Sequence, residues 1–287
     1  MRYNRGRTVP ERAVALPAPP GRGPPLDVGA VLELVGICKD YGKHRVLREL
    51  SFSLAPGEIL GYFGLNGAGK STTNRIILGF CRPSAGTFRL LGEDGANPRA
   101  RRRLGFLPEN PYYYDYLSGR ELLDYAARLQ GVPSSERPVR IQEAIDRVRL
   151  AREAADRPIR TYSKGMLQRL GLAQALVHRP EFLLLDEPFS GLDPLGRTML
   201  KELLRDFRSA GGTVFFSSHQ LLDAQEICDR VAILHEGVLQ VAAPLAELTA
   251  RHPGLTLEQI FLTVVGPEGG VGCQVPGVGG RAADADP

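Results

Sequence analysis

Paired cysteines are missing from this chain of 287 residues. Cys38, Cys81, Cys228 and Cys273 are scattered, without the short spacings that a zinc site or a redox dithiol needs, and such isolated thiols fit a reducing cytoplasm. Long apolar runs are absent too. The most apolar stretches, around Val31–Ile37 and Phe182–Leu185, stop far short of the roughly 20 residues that span a bilayer, so any membrane role has to pass through a partner. No apolar segment of the secretory kind follows the arginines near the start. Net charge is low as well. The formal +4 owes part of its excess to Arg2, Arg5, Arg7, Arg12 and Arg22 in a proline-rich opening, which gives no ground for expecting a nucleic-acid partner.

What remains is a composition 43% hydrophobic, enough for one large ordered core or two modest ones. Residues 1–29 are rich in proline, glycine and arginine and read as a flexible leader. Residues 266–287 offer little to bury and read as a disordered tail. Between them apolar strands alternate with amphipathic helices, the pattern of a mainly parallel sheet covered by helices. Ile59–Phe63, Phe182–Leu185, Thr213–Phe216 and Val231–Leu234 are expected strands. Lys70–Leu78 and Leu195–Ser209 are expected helices, the second stopped by Gly211 and Gly212.

From about Phe106 to Thr161 strand signals give way to helical ones. Ser118 and Glu121 form an S-x-x-E capping box ahead of an apolar stripe of Leu122, Leu123, Ala126 and Leu129, and Gly131 with Pro133 ends that helix. Ile141, Ile145 and Val148 mark one face of a second helix. Residues 106–161 therefore read as a helical subdomain inserted into an α/β domain spanning 30–265.

The chemistry begins at GLNGAGKST, which is Gly64, Leu65, Asn66, Gly67, Ala68, Gly69, Lys70, Ser71 and Thr72. It fits G-x-x-x-x-G-K-[ST] with a strand before and a helix after. The glycines let backbone N–H groups turn in on phosphate oxygens, and the helix start adds a favourable dipole. Lys70 brings a charge to the β and γ phosphates and Ser71 a hydroxyl to Mg²⁺, so ATP and Mg²⁺ are the expected cofactors.

Asp186 and Glu187 emerge where a buried strand reaches the carboxyl edge of the sheet, the usual place for ligands in open α/β folds. Alternation along a strand points the two acids in different directions. Asp186 is then assigned to the metal and Glu187 to polarising the attacking water. His219, just after Thr213–Phe216 and two serines, stands where it can sense the γ-phosphate. A lone acid pair or histidine is more often structural, and here the phosphate loop shifts the balance.

YSKGMLQRLGLAQAL, Tyr162–Leu176, resembles the signature segment of ATP-binding-cassette proteins. Together with FLLLDEPFSGLDP and the histidine after Ser217 and Ser218, the resemblance covers roughly residues 30–245 in the family's motif order. It implies a P-loop NTPase core of the RecA-like kind, a mainly parallel α/β sheet with an antiparallel β region and an inserted helical subdomain. It also implies a pair of cassettes, homodimeric or otherwise, in which Ser163 and Gly165 of one copy touch the γ-phosphate held by the other.

Asp193 in SGLDP resembles the loop that communicates between the two sites, and Tyr41 the aromatic that stacks on adenine, although an aromatic beside a glycine turn is often mere packing. The implied setting is the cytoplasmic face of the membrane, reached through an integral permease. Two departures stand out: YSKGM replaces the usual LSGGQ, and GFLPENP puts Glu109 where a glutamine normally approaches the metal. Both resemble the branch that serves ABC-2-type exporters.

Tyr112, Tyr113, Tyr114 and Tyr116 fall where the family receives a helix of its permease, but packing within the subdomain suits them equally. Arg99, Arg101, Arg102 and Arg103 read as a solvated face. Thr256–Val265 is either a short closing helix or an edge element. A different functional class, a soluble cassette acting on ribosomes or DNA, fits less well, because those relatives carry two cassettes or a long coiled coil and this chain has one cassette. An unrelated P-loop kinase would lack YSKGM.

Overall fold

The alternation of apolar residues along 32–54 resolves, in the computed structural model, into two long strands, β1 (Leu32–Tyr41) and β2 (His44–Leu54). The structure describes residues 29–266. The expected leader, apart from Gly29, and the expected tail, apart from Gly266, lie outside the described residues.

The chain continues through β3 (Ile59–Phe63), α1 (Lys70–Ile77), β4 (Ala85–Leu90), β5 (Glu93–Asp94) and β6 (Leu104–Leu107). Helices α2 (Gly119–Leu129), α3 (Arg137–Arg147), α4 (Arg152–Ala155) and α5 (Lys164–Leu176) follow as a block. Then come β7 (Phe182–Asp186), α6 (Pro194–Ser209), β8 (Thr213–Ser218), α7 (Ala224–Ile227), β9 (Arg230–His235), β10 (Val238–Pro244), α8 (Leu245–Arg251) and α9 (Leu257–Val265).

Two sheets result. Strands β2-β1-β4-β5 form an antiparallel sheet, and β10-β9-β3-β8-β7-β6 form a second whose inner pairs are all parallel, with β10 antiparallel at its edge. The parallel strands are buried on both faces, which explains their unbroken apolar runs. Alternation sends Ile59, Phe63, Leu183, Leu185, Val214 and Phe216 to the helical side. Leu60, Tyr62, Phe182, Leu184 and Phe215 go to the side shared with α1 and the antiparallel sheet. Phe215 is the hinge pin of that second layer, stacked on Phe52 at 6.0 Å and 5° and against Tyr62 at 5.3 Å.

The α2 start has both halves of its capping box: the Ser118 hydroxyl accepts from the Glu121 N–H, and Glu121 accepts from the Ser118 N–H at 2.8 Å. Two expectations need correction. Phe106 belongs to β6, a four-residue strand paired in parallel with β7, so the strand signal outlasts the point where the sequence reading begins its helices. Leu129 is 70% exposed and the α2 stripe is completed by buried Ala127 instead, because the buried face ends two residues before the helix does. Thr256–Val265 is helical, with a Thr256–Gln259 capping box at the start of α9.

Candidate nucleotide site

Three neighbouring strands, β3, β8 and β7, end at the same edge of the parallel sheet, and each delivers part of the site. From β3 the chain turns through Gly64–Gly69 into α1. At Gly69 φ is +115°, and a Cβ there would fall 2.7 Å from Leu47 Cδ2. Only glycine fits both the torsion and the space. Leu65, Asn66, Gly67 and Ser71 are exposed at the mouth, whereas Ala68 is buried and its carbonyl accepts from the Gly237 N–H at 3.0 Å. Thr72 is half-buried beside them.

Lys70 is nearly buried, and its Nζ donates to the carbonyls of Gly64 at 2.7 Å and Leu65 at 3.3 Å. Burial pushes its ammonium below the usual lysine value, and the carboxylates of Glu187, Asp186 and Glu109 pull it back up. Those three acids therefore share the field of the lysine, with Glu109 itself exposed.

Asp186 ends β7. Its Oδ1 accepts from the Ser217 hydroxyl at 2.6 Å, and Ser217 in turn accepts from Asn74 Nδ2 at 2.8 Å. Glu187 is past the strand and not on its alternating face. Its φ of +47° is left-handed, held by its own N–H donating to the Ser217 carbonyl at 2.9 Å. The expectation that pleating alone separates the two acids is corrected here: a strained turn does it, and such strain, about 1–3 kcal/mol, persists only where neighbours enforce it.

Glu187 is 7% exposed. Oε2 accepts from the Ser218 hydroxyl at 2.9 Å, and Oε1 lies 2.8 Å from His219 Nδ1. A carboxylate only accepts, so the proton of this pair is on Nδ1 of a half-exposed imidazole.

Ser163, Gly165 and Asp193 gather elsewhere. Ser163 caps α5, its Oγ accepting from the Met166 N–H at 3.3 Å, and Asp193 caps α6 by accepting from the Gly196 N–H at 2.7 Å. Together with Met166, Gly191 and Arg157 they line an open cleft of about 510 Å³, to which no phosphate-loop residue contributes. A Cβ on Gly165 would meet nothing nearer than the Gly191 carbonyl at 4.0 Å, so the first turn of α5 stays open. The Lys164 stem, by contrast, covers Gly191: a Cβ there would fall 2.5 Å from Lys164 Cε.

Tyr41 ends β1 and is 46% exposed, with Lys39 Nζ 5.0 Å from its ring centroid. Of the tyrosine cluster, Tyr112, Tyr114 and Tyr116 are exposed, whereas Tyr113 packs on the core and burial pushes its hydroxyl well up. The two readings left open by the sequence thus divide within one segment.

Ser71, Asp186 and Glu109 offer hard oxygen donors suited to Mg²⁺. No cluster of three or more acidic, histidine or cysteine side chains that could cage a metal occurs among the described residues. One or two carboxylates with a hydroxyl is the donor set Mg²⁺ uses when substrate phosphates supply the rest, so the residues fit that ion.

Sequence spacing does not reveal Asn74, Ser217, Ser218 or Gln168 as site residues. Gln168 is 2% exposed and its Nε2 donates to the Pro188 carbonyl at 3.1 Å, fixing the turn after Glu187 onto α5. Arg197 is another: it donates to Asp223 at 2.6 Å and Gln220 at 2.9 Å, tying α6 to the loop that follows His219. Each of these partners is contributed from a distant part of the chain.

The family model described as ABC transporter matches residues 47–190. An uncharacterized ABC transporter ATP-binding protein of Nostoc sp. is 47% identical over 203 residues, covering 70% of this chain and 61% of that protein. The bacitracin transport ATP-binding protein BcrA of Bacillus licheniformis is 35% identical over 228 residues, covering 78% of this chain and 73% of its own length. A solved ATP-binding subunit of an ABC transporter superposes with a TM-score of 0.77 at 30% identity, covering 82% of this chain and all of its own. The match spans 61% and 59% of the length of the Nostoc protein and a Synechocystis relative. With the phosphate loop, the acid pair and the signature helix in the arrangement described, the chain belongs to the ABC transporter family and carries that family's P-loop ATPase cassette.

Proposed function

We propose that this chain hydrolyses Mg²⁺-ATP to energise a separate integral membrane permease, as an exporter subunit on the cytoplasmic face of the membrane. Among the described residues no helix is long and apolar enough to cross a bilayer. The exporter assignment is supported by Glu109 and YSKGM and by the names of relatives such as the bacitracin transport protein.

The observation that carries the reading is the hold on Glu187: a nearly buried carboxylate fixed on both oxygens by Ser218 and His219, beside Lys70 and Asp186 at one sheet edge. An oriented carboxylate there is a base for water. Tyr41 stacks on adenine, the Gly64–Thr72 loop with Lys70 holds the phosphates, and Ser71, Asp186 and Glu109 hold Mg²⁺, which supplies charge neutralisation when bound. Glu187 takes the proton of the attacking water, and the half-exposed His219 keeps the carboxylate aimed through Nδ1.

The cleft containing Ser163, Gly165 and Asp193 has no phosphate-loop residue in its lining, which supports a site completed by a second copy. Pairing of two cassettes, as a homodimer or a paired heterodimer, brings an open α5 N-terminus to the γ-phosphate of the opposite copy. Tighter binding of ATP to the closed pair turns binding free energy into motion of the permease.

The test is Glu187→Gln in the full chain. Turnover is expected to fall to background while ATP accumulates in a stable dimer; hydrolysis at the wild-type rate would end the base assignment. Co-purification with ribosomes or DNA in place of a multispanning membrane protein would favour a soluble cassette and overturn the transport reading.

A further inference from the structure

Asn74 is in the second turn of α1, behind the phosphate loop and 2% exposed. Its Nδ2 donates to Ser217 Oγ at 2.8 Å, and Ser217, wholly buried, donates to Asp186 Oδ1 at 2.6 Å. Its own Oδ1 is buried without a hydrogen-bond partner among the described residues. An apolar side chain of the same size would avoid that uncompensated carbonyl, and the neighbouring Ile76 and Ile77 show how α1 otherwise packs. The amide is thus held in a place that costs stability, and the one hydrogen bond it makes among the described residues leads to Asp186.

A serine hydroxyl has a single proton and two lone pairs. With an amide N–H occupying a lone pair of Ser217, the hydroxyl proton has Asp186 Oδ1 as its acceptor. Asp186 Oδ2 makes no hydrogen bond among the described residues. The carboxylate is therefore pinned by one oxygen and free at the other.

We propose that Asn74 is a positioning residue for Mg²⁺: through Ser217 it fixes the rotation of the Asp186 carboxylate, so that the free oxygen is presented to the metal at the phosphate loop. This rests on the reading that Asp186 holds Mg²⁺. Partners that orient a ligand from behind typically change metal affinity by about 10- to 100-fold when removed.

The experiment titrates Mg²⁺ against binding of a fluorescent ADP analogue to the full chain. The proteins are wild type, Asn74→Leu, Ser217→Ala, the double variant and Asp186→Asn, with unfolding midpoints measured alongside. Asn74→Leu and Ser217→Ala are each expected to raise the Mg²⁺ half-saturation about tenfold and to leave Mg²⁺-free nucleotide affinity unchanged. The double variant is expected to match Ser217→Ala alone, because the two act in one chain of contacts.

An unchanged Mg²⁺ half-saturation in Asn74→Leu, or a double variant in which the two effects multiply, would overturn the proposal. Asn74→Ala, which removes the amide without adding volume, gives the same reading if leucine prevents folding. Asp186→Asn separates the layers. If it leaves Mg²⁺ dependence unaltered, the metal assignment itself fails, whereas a large loss there with no effect in Asn74→Leu defeats the positioning role alone.

Discussion

Replacing Ser218 with alanine removes one of the two side-chain hydrogen bonds that orient Glu187. The Ser218 hydroxyl donates to Oε2 at 2.9 Å, while His219 remains on Oε1 at 2.8 Å. A hydrogen bond to an ionised group contributes about 1.5–3 kcal/mol, and with one of two restraints left the lower end applies, about tenfold in rate. Ser218 makes no contact with the phosphate loop among the hydrogen bonds described, so kcat is expected to fall about tenfold with KM for ATP nearly unchanged.

The same hydroxyl accepts from the Gln220 N–H at 3.0 Å, so the variant also orphans a backbone donor and loses about 1 kcal/mol of stability. Steady-state phosphate release, nucleotide binding and a urea melt on one preparation separate these effects. A raised KM with unchanged kcat would refute the claim that Ser218 acts through the orientation of Glu187.

Other consequences follow from single residues. Gly69→Ala forces a Cβ onto a φ of +115° and towards Leu47, and the loop is expected to lose at least tenfold in ATP affinity, read by fluorescent-nucleotide titration. Burial holds His178 below its ordinary value of 6.5, with a backbone contact to Leu104 opposing that shift. The unfolded chain therefore binds this proton first as pH falls, and stability is expected to drop below about pH 6.5 and to be flat above it. His178→Gln should flatten that part of the pH–stability curve; an equally steep fall would exclude the imidazole as its source.

The parallel sheet was legible because Ile59–Phe63 and Phe182–Leu185 are buried on both faces and need no alternation to be recognised. The capping box at Ser118 was legible because it is local in sequence. Strand β6 was not: LGFL is four residues long, begins beside an arginine run, and is defined only by pairing with β7. Nor could spacing show that Glu187 is in a left-handed turn or that Ser218 holds it, since those facts depend on β7 and β8 being neighbours.

The motif residues themselves are named by short patterns, but their supports, Asn74, Ser217 and Gln168, come from α1, β8 and α5 and follow no local rule. Tyr113 and its neighbours show the same limit. Identical residue types in succession were separated into one packed and three exposed side chains by the core beneath them.

The central claim is that a complete site needs the phosphate loop of one copy and Ser163 of another. Mixing Lys70→Ala chains with Ser163→Arg chains tests it most directly, because each variant alone has two defective sites, whereas a mixed pair has one site with both parts intact. Equal mixing is expected to restore about a quarter of wild-type phosphate release, since about half of the pairs are mixed and each carries one intact site. A mixture as inactive as its two components, under conditions where exchange between pairs is shown to occur, would contradict the shared site.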